Sequence, residues 1–262
     1  MITVSTRIIV AAHKQADMPS DDMYLPVLVG ADINKPVENY TPDNTGDNIS
    51  SLNPMYCELT GLYWAWKNLD ADNIGLVHYR RYFKGKDGQA ITGSEVDTLL
   101  KGYKIILPTK RRYYIETLYS HYVHTHNNEE IDETRKVIAA KCPDYLGSYD
   151  KAMKRTWGYM FNMMVMPMDL LNDYCTWLFS ILKDVVDKVG EGDRSPFEKR
   201  YPGRLSELLF NCWIEYKLSS GTISRSDIVE VPLLNLGDEK FTKKLIAFLR
   251  AKFFGKKQDK SF

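Results

Sequence analysis

At 262 residues the chain is long enough to bury a sizeable core, as one large domain or two small ones. Charged residues make up 26% and hydrophobic ones 44%, the balance of an ordinary soluble globular protein. Lys and Arg total 35 against 34 Asp and Glu, a net charge of +1, so no global positive field speaks for a nucleic-acid partner.

Thr6 to Ala12 (TRIIVAA) reads as a first buried strand, tipped by His13 and Lys14. Gln15 to Ser51 is a long loop that its apolar residues argue is packed, with a short strand at Val27 to Val29. Asn53 and Pro54 read as N-cap and first residue of a helix running to about Leu69, with Met55, Leu59, Leu62, Tyr63 and Trp66 on one face. Asp70 to Asn73 turns into IGLVHYRRYF, Ile74 to Phe83, which begins as a buried strand and turns polar at His78. Gly75 in that strand allows close approach of a neighbour. A short helix from Ser94 to Leu100, capped by Thr92 or Ser94, leads to a strand at Tyr103 to Leu107 and a basic run, Lys110 to Arg112. The aromatic, His-rich stretch from Ile115 to His126 precedes helices at Ile131 to Lys141 and Asp150 to Arg155. Gly158 to Pro167 reads as a strand with its approach loop, and Met168 to Val189 as a long amphipathic helix. Gly190 to Gly203 is expected to be a mobile loop, Arg204 to Tyr216 a helix, and Ile228 to Leu233 a strand. The order indicates one α/β domain with helical additions, over residues 1–239.

Residues 240–262 form a distinct basic segment, with seven Lys and one Arg against one Asp, a net +7. Phenylalanines and aliphatics interleave with them at helical spacing. Such a helix either lies on an anionic membrane or packs on the domain with a solvated basic face. The four cysteines, Cys57, Cys142, Cys175 and Cys212, form no C-x-x-C pair. Cys57, Cys175 and Cys212 fall in helical apolar patterns and read as core. No apolar run reaches the roughly 18 residues that span a bilayer, and Ile8 to Ala12 is too short for a signal peptide. The expected location is cytoplasmic, with free thiols.

Three strand ends are thus tipped with basic residues, and His78, Tyr79, Arg80 and Arg81 form the densest of them. In open α/β sheets ligands bind beyond the carboxyl ends of the strands, and Arg suits phosphate because its planar fork engages two oxygens. A phosphate-bearing ligand at this edge is one reading; solvated or surface-paired arginines are the other. Asp70-Ala71-Asp72 has the letters of a metal-holding D-x-D, but it precedes its strand and belongs to the opposite edge. His121, His124 and His126 invite a metal, yet their spacing does not align all three on one helix face, so hydrogen bonding or core packing is favoured. Glu207 is the favoured general base, opening a helix after a Gly/Pro loop; the alternative is a first-turn acid complementing the helix dipole. Asp150 and Glu116 are weaker candidates. No Walker A, G-x-G-x-x-G or G-x-S-x-G motif is present.

IIVAAHK, TGDNIS with NPMYCELTGLYWAWKN, IGLVHYRRYF, ILPTKRRYYIETLYSHYVHTH, GYMFNMMVM and GRLSELL occur in that order. Together they resemble a domain-of-unknown-function family of capsular and exopolysaccharide gene clusters, grouped with glycosyltransferases that include galactofuranosyltransferases. The resemblance runs from about Arg7 to about Phe253. It implies a GT-A-like α/β domain with a mostly parallel central sheet, flanking helices and a C-terminal helical extension. It also implies transfer from a UDP-sugar to a lipid-linked or oligosaccharide acceptor; an inverting hexosyltransferase, with galactofuranose the best single donor sugar, is the expected activity, and the basic segment 240–262 adds the expectation of a peripheral place on the inner face of the plasma membrane. Carried over, Ala11, His13, Lys14, Asp47, Asn48, His78, Tyr79, Arg80 and Arg81 would bind the donor. His121, His124, Arg155 and Asn162 would lie near the sugar and acceptor, and Glu207 would be catalytic. The basic side chains would stand where a metal motif sits in other GT-A enzymes, so that a site without a divalent metal is physically coherent and metal dependence is left open. The alternative is a non-catalytic nucleotide- or glycan-binding subunit of a membrane-associated assembly complex.

Overall fold

The computed structural model describes residues 4–236. The basic segment 240–262 and its boundary with the domain lie outside them. The chain begins with β1 (Thr6–Ala12), β2 (Tyr24–Leu28) and β3 (Thr41–Pro42), then α1 (Asn53–Tyr56) and α2 (Leu59–Asn68). Next come β4 (Asn73–His78), β5 (Arg81–Phe83), α3 (Gly93–Leu100), β6 (Ile105–Pro108) and β7 (Arg111–Arg112). Helices α4 (Leu118–Thr125), α5 (Asn128–Lys141) and α6 (Leu146–Met153) precede β8 (Trp157–Gly158) and β9 (Met164–Pro167). The long helices α7 (Met168–Val189) and α8 (Tyr201–Ser219) lead to β10 (Ile228–Val231) and β11 (Leu233–Asn235).

The central sheet runs β10-β6-β9-β4-β1-β2-β3, with β5 pairing β4 and β11 at its edge. Strand β1 is parallel to β2 and β4, and β10 is parallel to β6. Strand β9 runs antiparallel to both its neighbours, β4 and β6. This is the mostly parallel sheet with flanking helices that the sequence implies. The alternation of β1 splits the core: Ile9 and Ala11 face the layer containing α2, α7 and α8, while Ile8 and Val10 pack with Tyr82, Phe83 and Val96 on the other face. From β1 the chain moves outward to β2 and β3, then crosses back through α1 and α2 to β4 on the opposite side of β1. The carboxyl ends of β1 and β4 therefore flank a topological switch point, where an open sheet leaves a crevice for a ligand.

Several local expectations are corrected. The helix expected from Asn53 to Leu69 is two helices, broken at Cys57, whose backbone is left-handed in φ (52°). Asn53 is not an N-cap: its side-chain amide donates to Cys57 O at 2.8 Å and Thr60 Oγ1 at 3.1 Å, stitching the break. Cys57 consequently leaves the core pattern and accepts from Arg200 Nε at 3.0 Å, whereas Cys175 and Cys212 are buried as expected. The HYRRYF stretch is a tight hairpin in which His78 pairs with Arg81, so Tyr82 and Phe83 return into the core and do not join the polar tip. Helix α8 begins at Tyr201, earlier than expected, with Pro202 in its first turn. The preceding loop is tied down: Arg194 bonds Glu129 at 2.7 Å and Glu130 at 3.4 Å, and Tyr201 donates to Gly190 O at 3.2 Å.

Gly75 sits in the middle of β4. A Cβ there would lie 2.9 Å from Ile8 Cγ1, 2.9 Å from Val165 Cγ2 and 3.0 Å from Met164 O. Gly75→Ala is expected to destabilise the protein by about 1–3 kcal/mol through overpacking of the three central strands. Chemical denaturation reads this as a lower midpoint at unchanged slope.

Candidate active site

The strand tips at the switch point gather cations. Ala11 pairs with His78 across the ladder, and Ala11 O accepts the Tyr79 N–H at 3.3 Å, so the turn after β4 lies against the end of β1. Tyr79 is the centre of the cluster. The His13 ring stands edge-on to it at 5.4 Å, the Arg80 guanidinium lies 4.9 Å from its centroid and the Lys14 ammonium 5.9 Å. Burial holds the His13 pKa below its ordinary value, and the positive charges of Lys14, Arg80 and Arg200 push it the same way. Among the described residues no carboxylate bonds His13, Lys14 or Arg80, and their like charges repel one another. Such an edge attracts an anion.

Behind the tips lies a turn with two consecutive non-glycine residues in the left-handed region, Phe161 (φ 73°) and Asn162 (φ 53°). Phe161 O meets His78 Nε2 at 2.6 Å, and the Arg81 guanidinium lies 4.5 Å over the Phe161 ring. The Asn162 side chain is buried; its amide donates to Glu58 Oε1 at 2.8 Å and Gly203 O at 3.3 Å, and its carbonyl accepts from Ser206 at 3.0 Å. The Phe161 N–H donates to the Glu207 carboxylate. Glu207 is half-buried, and its pKa is raised to about 7. Burial is the main cause and the Glu58 carboxylate adds to it, against the Phe161 N–H and the charges of Arg111 and Arg81. Glu207 stands six residues beyond the start of α8, too far along to be a first-turn acid on the helix dipole, whose effect fades within one turn.

Glu207 opens onto a cleft of about 120 Å³ lined also by Arg111, Tyr113, His121, His126 and Arg204. That volume suits part of a small molecule, since sites for drug-sized ligands run to ~300–1,000 Å³. Glu116 is buried at its rim and grips two histidines at once, Oε2 to His121 Nδ1 and Oε1 to His124 Nδ1, each at 2.8 Å. Burial keeps the His121 pKa below its ordinary value despite Glu116. A neutral His121 donates its Nδ1 proton to Glu116 and keeps Nε2 as an acceptor. The cleft therefore joins proton acceptors, Glu207 and His121, to guanidinium donors, Arg111 and Arg204: a setting for a hydroxyl-bearing molecule.

The structure brings His13, Lys14, Tyr79, Arg80, Arg81, Glu207 and His121 to this one edge, with Ala11 and His78 as the backbone and ring beneath them. It places Asn162 one layer behind, buried. His124 turns outward, its side chain 63% exposed. Arg155 is paired with Glu215 and stacked 4.6 Å over Trp157, and it does not line the cleft. Asp47 accepts from Tyr63 at 3.1 Å and, with Asn68, fastens the loop holding Asn48 to the flank of α2, away from the strand tips. Asp150 is clamped by Arg135 on the surface. Glu58, Phe161, Arg200 and Arg204 were not singled out in the sequence. Arg200 and Arg204 carry the one signal that was there, basic residues flanking a Pro-Gly pair at a helix start. Among the described residues no three His, Cys, Asp or Glu side chains converge to hold a metal ion.

The sequence profile of DUF4422, a domain of unknown function, matches residues 7–218. No curated protein matches the chain significantly. The solved apo structure of WbbM, a bifunctional glycosyltransferase, superposes with a TM-score of 0.82 at 27% identity over 89% of this chain. The overlap covers 46% of WbbM, so this chain spans about half the length of that protein.

Because the Glu207 pKa is raised above that of the unfolded chain, its proton stabilises the fold at low pH, and this contribution is lost as pH rises from about 4.5 to about 7. Glu207→Gln is uncharged throughout and is spared that loss. Relative to the parent it is expected to gain on the order of 2–3 kcal/mol between pH 4.5 and pH 8. Urea denaturation at both pH values measures the difference, and a pH-independent difference would place the titration elsewhere.

Proposed function

The chain belongs to the DUF4422 family, and from that premise we propose that it is a glycosyltransferase that takes a nucleotide-diphosphate sugar as donor and a glycan hydroxyl as acceptor. The observation that carries this reading is the position of Glu207, poised near neutrality between a cationic strand edge and a cleft that joins proton acceptors to guanidinium donors. The likeness to WbbM supports the reaction class.

His13, Lys14 and Arg80, with Arg81 and Arg200 nearby, take the diphosphate, where their charge stabilises the leaving group as its bond to the sugar breaks. Glu207 accepts the proton of the acceptor hydroxyl as that oxygen attacks the anomeric carbon. The bonding pair to the old oxygen departs with the nucleoside diphosphate. One displacement from the side opposite the leaving group inverts the anomeric centre. A carboxylate with a pKa near 7 is a far better base than an ordinary one and is still half ionised at neutral pH. His121, fixed by Glu116, orients the acceptor hydroxyl through Nε2. The side chains at the β4 tip are cations and a histidine tied to a carbonyl, which do not fit a divalent ion. UDP-galactofuranose is the donor favoured by the family resemblance, and a lipid-linked or oligosaccharide acceptor of capsular or exopolysaccharide synthesis its natural counterpart.

Two variants test this. Arg80→Ala is expected to weaken UDP binding by about tenfold or more with an unchanged melting temperature, since an exposed charge on the ligand is removed and no core contact. Glu207→Gln is expected to bind UDP as the parent does and to lose about 10²- to 10⁴-fold in transfer from a UDP-hexose. Titration calorimetry and product assays across a panel of UDP-hexoses read both. UDP binding without turnover of any donor by the parent would make the chain a nucleotide-binding subunit instead.

A further inference from the structure

Between β7 and α4 the chain makes a short projecting turn whose two tip residues face solvent. Tyr114 is 83% and Ile115 80% exposed, the most exposed large hydrophobic side chains among the described residues. Tyr114 also holds a left-handed φ of 60°, where glycine or asparagine would be at ease and a bulky side chain is not. The turn is nevertheless firmly built. Arg111 and Arg112 pair with Gly158 and Trp157. Tyr113 N–H donates to Thr156 O at 2.8 Å, Ile115 N–H to Tyr113 O at 2.7 Å and Leu118 N–H to Arg155 O at 2.7 Å. Thr117 then caps α4 with Ser120. The turn thus presents two apolar side chains to solvent from a hydrogen-bonded base.

The charges around the tip are one-sided. Arg111 and Arg112 are exposed, while the Glu116 carboxylate just past the tip is buried on His121 and His124. Lys110 is taken by Glu230 at 2.6 Å. We propose that Tyr114 and Ile115 insert into the interfacial layer of an anionic membrane, with Arg112, and Arg111 beside it, on the lipid headgroups. A tyrosine places its ring in the acyl boundary and its hydroxyl among headgroups, an isoleucine buries fully, and arginine binds lipid phosphate. A protein partner fits less well. A stable interface buries roughly 800 Å² per partner, far more than two side chains on a convex tip offer, whereas a bilayer needs no matching surface. Arg111 and Tyr113 also line the cleft, so insertion of the tip brings the cleft mouth to the membrane surface. Only this last consequence, access to a membrane-borne acceptor, rests on the transferase reading; the binding itself does not.

The test uses the full chain, so that whatever residues 240–262 contribute is common to every protein compared. Flotation with phosphatidylcholine vesicles, with and without phosphatidylglycerol, gives the partition coefficient. Tyr114→Ser with Ile115→Ser is expected to lower partitioning onto anionic vesicles by about tenfold or more, with melting temperature and UDP affinity unchanged. Arg112→Ser is expected to lower it on anionic vesicles and to leave neutral ones unaffected. In Ile115→Trp the new indole is expected to shift to the blue on anionic vesicles and to be quenched by brominated acyl chains. Unchanged partitioning of the double variant, or an indole that stays unquenched on bound protein, overturns the proposal. A concentration-dependent dimer lost in the double variant, without any vesicle effect, would assign the tip to a second copy of the chain and overturn it equally.

Discussion

The site depends on one buried side chain, the amide of Asn162. Its turn carries two left-handed non-glycine residues, each costing of the order of 1–3 kcal/mol, and the three bonds of the Asn162 side chain help hold it there. Through that turn three separate elements meet. Phe161 O fixes the His78 ring at the end of β4, the Phe161 N–H supports the Glu207 carboxylate on α8, and the Asn162 amide holds Glu58 at the start of α2. The direction of β9 explains why the turn is there. A strand antiparallel to its neighbours begins where they end, so the approach to β9 is delivered to the carboxyl edge of β4. A parallel strand at the same place would bring its exit there and leave the approach at the far edge.

The electrostatics follow from this placement. His13, Lys14 and Arg80 cluster at the β1 and β4 tips with no carboxylate bonded to them among the described residues, and the Glu58 and Glu207 carboxylates lie behind the turn. Each is held by an N–H from it, the Asn162 amide or the Phe161 backbone. Glu207 feels both populations: burial and Glu58 favour its proton, Arg81 and Arg111 favour its charge. An anion bound at the tips would weaken the second influence and strengthen the Glu207 affinity for a proton. Anion binding at the tips and the Glu207 proton are therefore coupled through Arg81, which lies over Phe161 and acts on Glu207.

The legible parts of the fold are those that a periodic pattern dictates. The bounds of β1 and α7 match the apolar run and the amphipathic stripe to the residue, and the basic tips of β1 and β4 could be assigned to one edge because both strands are parallel. What stayed hidden involves single residues whose conformation their neighbours impose. Cys57, Tyr114, Phe161 and Asn162 are left-handed without the glycine that would announce it, so the helix break at Cys57 and the turn before β9 had no local sign. The antiparallel direction of β9 is equally silent, since a buried strand reads alike in both directions. Asp47 and Asn48 sit in a block that resembles the family, but shared sequence does not separate a ligand contact from a loop fastened to Tyr63 and Asn68. Glu207 was legible as a residue and misplaced in its helix, because Pro202 and Gly203 read as loop whereas a proline is at home in a helix's first turn.

Arg111 ties the remaining pieces together. Its backbone belongs to the two-stranded ribbon that carries the exposed tip, it lines the cleft, and its charge reaches both His121 and Glu207. The ribbon partner, β8, leads within a few residues to Phe161 and Asn162. The tip is therefore joined through a short hydrogen-bonded ladder to the turn whose Phe161 N–H meets Glu207. The cationic edge, Glu207 and the cleft are thus joined through one set of hydrogen-bonded elements. Orientation of groups in this way removes much of the entropy that would otherwise oppose the reacting arrangement.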